Sequence, residues 1–339
     1  MKVLLTWQAH ADEVERVRSA LPAGTGVVAH EAIPSFSRFD ASYEGLAHEA
    51  HDADVLMGFC LPPGILDVAD NLGLICWMHA GINRLDAGKL KEKGIRVCNS
   101  RGANGTAVAE HAMALLLGSA KRLVMKQEAV HEAKYFPLYE QETRSAMLSG
   151  RTLLVVGLGK IGTAIAKFAQ AFDMRVVAIR RHPDRGGDHV DSVHGPDELL
   201  DLLPQADYVM LATPITGETE HFFGERELAA MKPTAFLINI ARGNLTQEIP
   251  LYRALTGGAI AGYAADVWPD YGMVFPETCY FQCPTRTGYH KLPNVLGTGD
   301  QAANAEDVLD RHIDQGIESI QQYIRGDPLS WEVDLELGY

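Results

Sequence analysis

The stretch Leu153-Leu154-Val155-Val156-Gly157-Leu158-Gly159-Lys160-Ile161-Gly162 decides the fold. Four apolar residues form a predicted buried strand that runs directly into three glycines with the spacing Gly-x-Gly-x-x-Gly. A helix-like segment, 163–172, follows, and a second predicted strand ends at Ile179. A glycine turn without a ligand explains this spacing poorly. The stretch therefore predicts a dinucleotide-binding unit of strand, helix and strand.

Each glycine of the turn has a physical role in holding a dinucleotide. The first permits a tight turn, the second lets the backbone approach a pyrophosphate, and the third lets helix and strand pack closely. The start of the helix adds free N–H groups and the positive end of its dipole. We therefore predict that Gly157, Gly159, Lys160, Ile161 and Gly162 bind the cofactor.

The residues that follow the second strand indicate which dinucleotide is bound. An acidic residue there would bind a ribose 2′-hydroxyl and favour NAD, but this chain has Arg180 and Arg181, with Arg185 nearby. Two guanidinium groups favour a 2′-phosphate through charge-assisted hydrogen bonds. The preferred cofactor is therefore predicted to be NADP, with NAD as the alternative if these arginines are solvated or stack on adenine.

Outward from this stretch, short apolar runs alternate with helical periodicity. This alternation predicts an α/β fold with parallel sheets covered by helices on both faces. One long helix is expected over 106–134 and another over 305–324, where Leu309, Ile313, Ile317, Ile320 and Ile324 lie on one face. The predicted strands are 3–6, 55–58, 74–77, 97–99, 153–156, 176–179, 208–211, 235–240, 262–265 and 294–297.

Composition limits the class of protein. The 339 residues suggest two domains, and 47% hydrophobic with 22% charged residues is ordinary globular composition. A net charge of −14 without basic runs argues against nucleic-acid or membrane-surface partners. Five scattered cysteines do not suggest a disulfide framework, and neither a signal peptide nor a membrane span is recognisable. We expect a cytoplasmic protein.

From Gly73 onward the chain resembles the D-isomer-specific 2-hydroxyacid dehydrogenases. The Asn-Ile-Ala-Arg-Gly segment at 239–243 is the most specific match. The other matching segments are Ala-Gly-Ile-Asn at 80–83, Val-Ala-Glu-His at 108–111, the glycine turn, Leu-Ala-Thr-Pro at 211–214, Asp-Val-Trp at 266–268 and Leu-Pro-Asn-Val at 292–295.

The resemblance implies an organisation in two doubly wound domains. A Rossmann cofactor domain, 105–299, would be inserted in a flavodoxin-like substrate domain made of 1–104 and 300–339. Members of the family are usually homodimers built on the cofactor domains, which here would involve the 106–150 region. The same resemblance implies an NAD(P)-dependent oxidoreductase that acts on a small hydroxy or carbonyl acid.

Arg242 is the predicted catalytic residue. It lies just beyond a strand end, where open α/β sheets bind ligands, and its guanidinium can hold a carboxylate and stabilise the oxyanion formed during hydride transfer. The loop at His79, Ala80, Gly81 and Ile82 is predicted to bind substrate through backbone N–H groups, although its glycine is also compatible with a plain turn. By resemblance, the remaining cofactor contacts are Val108, Thr213, Pro214, Ile240, Ala241 and Asp266.

Two positions depart from the family's pattern. Asp300 stands where the family has its proton-transferring histidine, and Tyr271 stands where it has the glutamate that orients this histidine. A partly desolvated Asp300 with a raised pKa would serve as the acid, whereas an ionised Asp300 would act as a base or an orienting group. His290, in a segment that is longer than usual for the family, is a second candidate for the proton transfer, or else part of a rim or dimer-contact loop.

These replacements leave other functions open. An enzyme that keeps its dinucleotide and uses it transiently, such as a lyase, an epimerase or a dehalogenase, is one alternative. A non-catalytic dinucleotide-sensing protein is another. Cys279 and Cys283 have weak metal-binding spacing without a second cysteine pair, so no metal is predicted.

Overall fold

The computed structural model describes residues 1–30, 37–82, 84–141, 143–269 and 285–338. The described residues form two compact units. The first unit takes the chain up to Asn104 together with the C-terminal segment from Glu306. The second unit takes the described residues from Gly105 to Ala305.

The first unit contains a five-stranded parallel sheet with the strand order β2-β1-β3-β4-β5. Its strands are β1 (Lys2–Leu5), β2 (Gly26–Ala29), β3 (Val55–Gly58), β4 (Leu74–Trp77) and β5 (Arg96–Asn99). Its helices are α1 (Ala11–Ala20), α2 (Tyr43–Ala50), α3 (Ile65–Val68), α4 (Ala87–Glu92) and the C-terminal helix α11 (Val308–Arg325). The predicted apolar stripe of α11 is confirmed, because Ile313, Ile317 and Ile320 are buried in the core.

A C-terminal tail covers the outer edge of β5. Val333 donates its backbone N–H to Val97, and the N–H of Asn99 binds the carbonyl of Trp331. Beside them, Arg96 forms a bidentate ion pair with Glu332 at 2.7 and 2.9 Å. The unpaired edge of the sheet is therefore closed by residues that lie more than 200 positions later in the chain.

The second unit contains a seven-stranded parallel sheet with the order β12-β11-β10-β9-β6-β7-β8. Its strands are β6 (Thr152–Val156), β7 (Arg175–Ile179), β8 (Ser192–His194), β9 (Tyr208–Leu211), β10 (Phe236–Asn239), β11 (Gly262–Ala265) and β12 (Val295–Gly297). Its helices are α5 (Gly105–Lys121), α6 (Leu123–His131), α7 (Lys160–Gln170), α8 (Leu199–Leu202), α9 (Glu225–Ala230) and α10 (Glu248–Thr256). The strand order reverses between β6 and β9, which is the switch point where sheets of this kind bind ligands.

Both faces of this sheet are apolar. Along β6, Leu154 and Val156 belong to one buried cluster, whereas Leu153 and Val155 belong to another. Since successive side chains of a strand point to opposite faces, helices must cover both sides. The predicted α/β fold with parallel sheets is confirmed.

Three predictions of local structure need correction. The single helix over 106–134 is wrong: α5 and α6 are separated at Arg122, which has the left-handed φ of 52°. At this break the N–H of Ala146 binds the carbonyl of Ala120, and Lys121 binds the carbonyl of Ala146, so a returning segment occupies the helix end. The strands β2 and β8 were not predicted.

The described cysteines are all buried. Cys76 and Cys98 are buried free thiols on the paired strands β4 and β5. Cys60, after β3, is also buried in the core of the first unit. In the described part of the chain, no helix combines the length and the apolar character that crossing a membrane requires.

A buried histidine makes the first unit sensitive to acid. His312 of α11 is 4% exposed and packs edge-on against Phe59, and its Nδ1 has no hydrogen-bond partner among the described residues. Burial lowers the pKa of His312 to about 4. The unfolded chain therefore binds a proton at His312 below pH ~6.5, whereas the folded unit does not bind it until pH ~4. The free energy of unfolding falls as the pH drops through this range.

We predict that His312→Leu flattens this acid dependence. At about 1.4 kcal/mol per pH unit, the wild-type unit should lose about 3 kcal/mol between pH 6.5 and pH 4 that the variant keeps. Hydrogen exchange of the β3 amides at several pH values reports the first unit alone. The exposed His48→Leu is the control, and equal acid dependence in the wild type and His312→Leu would contradict the prediction.

Candidate active site

The glycine turn after β6 is built by close backbone approaches. Gly157 has φ +106°, and a Cβ there would lie 2.7 Å from the backbone of Ala212. A Cβ on Gly162 would lie 2.1 Å from the carbonyl oxygen of Gly157. Both positions therefore exclude any side chain, as the predicted roles of the first and third glycines require.

The middle glycine faces open space. A Cβ on Gly159 would have no heavy atom of the described residues within 4 Å. Gly159 is the N-cap of α7, and a glycine has no side chain with which to cap the first N–H groups of the helix. This combination of space, N–H donors and the positive end of the helix dipole suits a phosphate group.

A cavity of about 590 Å³ adjoins the turn. This volume lies within the usual range for a small-molecule site. The cavity is lined by Leu158, Gly159, Lys160, Thr163, Arg180, Arg185, Gly187 and Asp188. Three of these residues are cationic and one is anionic, so the residues present fit a nucleotide that carries several phosphate charges.

The two arginines predicted to act together are arranged differently. Arg180 lines the cavity and donates from Nη1 to the carbonyl of Gly186 at 2.7 Å. Arg181 instead forms an ion pair with Glu218, with Nη2 and Oε2 2.5 Å apart. Arg185, rather than Arg181, is thus the second arginine at the cavity wall.

The loop after β9 lies beside the glycine turn. The N–H of Ala212 binds the carbonyl of Val156, and the backbone at Thr213 is within 2.7 Å of the Cβ position of Gly157. Pro214 accepts a hydrogen bond from Thr219 Oγ1 at 2.7 Å, which closes the loop on itself. The structure therefore places Thr213 next to the turn and Pro214 directly after it.

Arg242 is presented by a turn that a buried asparagine shapes. Asn239, the last residue of β10, accepts from the N–H of Ala241 and donates to the carbonyl of Arg242. The guanidinium of Arg242 is half-buried and donates to the carbonyl of Ala241 at 2.7 Å. A Cβ on Gly243 would lie 2.1 Å from the backbone of Trp268, so this glycine lets the turn pack on the segment after β11. Ile240 is buried within the same turn.

Asp266 is the buried centre of a hydrogen-bond network. Its carboxylate is held by the N–H groups of Gln301 and Ala302, both at 2.9 Å, and by Thr298 Oγ1 at 2.6 Å. Its backbone carbonyl accepts from the N–H of Asp300 at 2.8 Å. One residue therefore holds three consecutive backbone N–H groups, 300 to 302. Sequence reasoning missed this arrangement, because the resemblance suggested only a cofactor contact for Asp266.

Asp300 is the first of these three residues; it is exposed and has the left-handed φ of 54°. Arg242, Asp266 and Asp300 follow β10, β11 and β12 respectively, and these neighbouring strands are in register at their carboxyl ends. All three residues therefore lie at one edge of the sheet. Val108, which is buried, belongs to α5, and α5 packs against these same strands.

His290 is the second candidate for proton transfer. Its Nδ1 lies 2.7 Å from Thr285 Oγ1, and its ring meets Trp268 edge-on at 6.1 Å between centroids. Burial lowers the pKa of His290, and the neighbouring Lys291 lowers it further. The indole N–H of Trp268 binds the carbonyl of Thr298, so a single aromatic ring separates His290 from the segment that carries Asp300.

The predicted substrate loop belongs to the first unit and follows β4. Its carbonyls point inward, because Ala80 accepts from Asn99 Nδ2 at 2.7 Å and Gly81 accepts from Trp77 Nε1 at 2.9 Å. In a trans peptide the N–H points opposite to the C=O, so the N–H groups of Gly81 and Ile82 point outward. The Nε2 of His79 lies 3.0 Å from the carbonyl of Phe59, which fixes its imidazole against the unit.

Tyr271, Cys279 and Cys283 lie outside the described residues. Within the residues that the structure does describe, no group of three or more metal-ligating side chains comes together.

Comparisons with known proteins show which family this chain resembles. Residues 113–299 match the family described as D-isomer specific 2-hydroxyacid dehydrogenase, NAD binding domain. A glyoxylate reductase of Korarchaeum cryptofilum is 30% identical over 81% of this chain and 81% of its own.

A D-3-phosphoglycerate dehydrogenase of Methanocaldococcus jannaschii is 28% identical over 96% of this chain. This chain spans only 58% of the length of that relative. A crystal structure of a protein from Thermus thermophilus superimposes with a TM-score of 0.77 at 28% identity, over 98% of this chain and all of the other.

Proposed function

Because the chain belongs to the D-isomer specific 2-hydroxyacid dehydrogenase family, we propose that it reduces small 2-oxo acids to 2-hydroxy acids with a nicotinamide dinucleotide. The observation that carries the proposal is the guanidinium of Arg242, held at the carboxyl end of β10 in the unit that contains the glycine turn. The two curated relatives are a reductase and a dehydrogenase, which does not favour the lyase, epimerase, dehalogenase or sensing alternatives.

The glycine turn and the start of α7 would hold the pyrophosphate of the cofactor. Thr213, Pro214, Val108, Ile240 and Ala241 would contact its remaining parts. When bound, the dinucleotide supplies a hydride to the carbonyl carbon of the substrate.

Each unit contains groups that suit an anion. In the first unit, the outward N–H groups of Gly81 and Ile82 suit a carboxylate, and His79 braces their loop. Arg242 would hold the oxygen of the carbonyl group, on which negative charge develops as the carbon gains a hydride. A proton must then be added to this oxygen to complete the 2-hydroxy acid.

Asp300 is our first candidate for the proton donor and His290 the second. Asp300 is fixed by three backbone hydrogen bonds of its segment to Asp266. An exposed carboxyl has a reference pKa of ~3.9, so it must be partly desolvated by substrate and cofactor to carry a proton at neutral pH. His290 has a lowered pKa and is therefore largely neutral at pH 7, which makes it better suited to accept a proton than to donate one.

NADP is the proposed cofactor and NAD the alternative. Lys160, Arg180 and Arg185 surround one cavity beside the turn, whereas Asp188 is the one acidic side chain among the described residues of its wall. The 2′-phosphate of NADP would accept a charge-assisted hydrogen bond from each of the two guanidinium groups. Binding would therefore be stronger than for NAD, which has a 2′-hydroxyl in this place.

A second copy of this chain is the proposed partner. In the described part of the chain, exposed large apolar side chains are concentrated between 123 and 147. They are Leu123, Val124, Val130, Tyr135, Leu138, Tyr139 and Met147. A concentration of exposed apolar side chains in one segment favours a protein interface, and this segment belongs to the cofactor-binding unit.

Arg242→Ala tests the proposed function. We expect kcat/KM for NADPH-dependent reduction of glyoxylate or hydroxypyruvate to fall by about 10²–10³, because the developing oxyanion loses its cation. Steady-state absorbance at the nicotinamide band measures this. Arg253→Ala, an exposed arginine on α10, is the control, and equal activity of both variants would refute the role of Arg242.

Arg180→Ala tests the cofactor preference. The Kd for NADPH, read from nicotinamide fluorescence, should rise about tenfold or more while the Kd for NADH changes little, since only NADPH carries the 2′-phosphate. Arg175→Ala, exposed at the start of β7, should leave both values unchanged. Tighter binding of NADH than NADPH by the wild type would overturn the preference.

Asp300→Asn and His290→Asn separate the two proton donors. Replacing the residue that transfers the proton should lower the single-turnover rate by a factor of about 10²–10⁴. The other variant should keep a single-turnover rate near that of the wild type. Cofactor binding should persist in both. If neither variant slows the reaction, the proposed proton transfer by these residues is wrong.

Leu138→Glu tests the proposed dimer. A charge placed in a buried apolar interface should shift sedimentation equilibrium from dimer towards monomer, because the carboxylate loses its water without gaining a partner. Ile249→Glu, exposed on α10, should leave the association state unchanged. A monomeric wild type would contradict the proposal.

A further inference from the structure

Thr298 is held at each of its polar groups. Its N–H binds the carbonyl of Ala265, its own carbonyl accepts from Trp268 Nε1, and its hydroxyl lies between Asp266 and His111. It directly follows β12, two residues before Asp300. The segment that leads to Asp300 therefore begins from a fixed point.

The hydrogen bonds at the Thr298 hydroxyl have a definite direction. A hydroxyl has one proton, and Oγ1 donates it to Asp266 Oδ1 at 2.6 Å, since a carboxylate only accepts. The contact of 2.9 Å with His111 must then be a donation from the Nε2–H of the imidazole to Oγ1. The chain His111–Thr298–Asp266 thus runs in one direction and ends on a carboxylate that is 2% exposed.

Asp266 passes this constraint to Asp300. Its two carboxylate oxygens and its carbonyl oxygen bind the N–H groups of 301, 302 and 300 in turn. Asp300 has the left-handed φ of 54°, a conformation that aspartate adopts less readily than glycine. The hydrogen bonds from the consecutive N–H groups to Asp266 hold the backbone in it, and Thr298 keeps the carboxylate oriented towards these groups.

We propose that Thr298 and His111 are positioning residues that act through Asp266 to place Asp300 for proton transfer. The role of Asp300 in this inference rests on the proposed function. Neither His111 nor Thr298 was among the predicted site residues. Both residues lie beside predicted cofactor contacts, since His111 is one helical turn after Val108 on α5 and Thr298 binds Asp266.

Thr298→Val and Thr298→Ser test this inference. Valine keeps the shape of the side chain but removes the hydroxyl donor. Small displacements of a reacting group lower rates strongly, so a displaced Asp300 should lower kcat tenfold or more. The Kd for NADPH should stay within twofold, and the amides of 300–302 should exchange faster with solvent. Serine restores the hydroxyl and should recover kcat to within threefold. Thr256→Val, a threonine whose hydroxyl bonds within α10, is the matched control.

His111 gives an independent pair of variants if Thr298→Val does not fold. His111→Phe removes the donor and should lower kcat and loosen the 300–302 amides, whereas His111→Gln offers an N–H in a similar place and should restore both. Lower thermal stability with unchanged kcat and unchanged exchange at 300–302 would overturn the inference. If the wild type turns over no 2-oxo acid, the proposed function fails, while exchange at 300–302 still decides whether the two residues fix that segment.

Discussion

The second unit depends on a backbone contact that admits no side chain. At Gly162, the first turn of α7 lies against the carbonyl of Gly157, so closely that a methyl group would overlap it. This contact fixes the direction in which α7 leaves β6, the strand at the switch point of the sheet. The N–H groups at the start of α7 take their position from that direction, and the cavity lies beside them. Two more glycines repeat the principle, since Gly157 approaches Ala212 and Gly243 approaches Trp268.

Patterns of local hydrophobicity predicted most of the sheet. Strands such as β3, β4, β9 and β11 coincide with their apolar runs because they are buried on both faces. The strand β8 was missed because Ser192–His194 is a short edge strand of intermediate burial with little apolar signal. The break at Arg122 was missed because residues 119–125 contain neither glycine nor proline, and only the distant segment near Ala146 explains it.

The candidate site was predictable where residues form a recognisable motif and unpredictable where a side chain binds the backbone of another segment. Arg242 and the glycines carry a recognisable pattern of residues. Asn239 and Asp266 work by binding main-chain groups that come close only after folding, so no spacing reveals them. The net charge of the sequence also did not predict the charge around the cavity. The chain carries −14 overall, yet three cationic side chains line this cavity. At physiological salt, exposed charges more than about 8 Å apart are largely screened from each other. The cations of the cavity can therefore attract an anion although the protein as a whole is acidic.

The C-terminal tail on β5 has a consequence for biosynthesis. At about 5–20 residues per second, a ribosome needs about 10–50 s to pass from β5 to the residues that cover it. During that time the outer edge of β5 has no hydrogen-bonding partner. The helix α11 has not yet been synthesised, so it cannot cover the apolar face of the sheet. A truncated mRNA that ends after the second unit would therefore yield a chain with a folded nucleotide-binding unit and an incomplete first unit. The exposed sheet edge and apolar face of the first unit would make this product prone to association and to removal by proteases and chaperones.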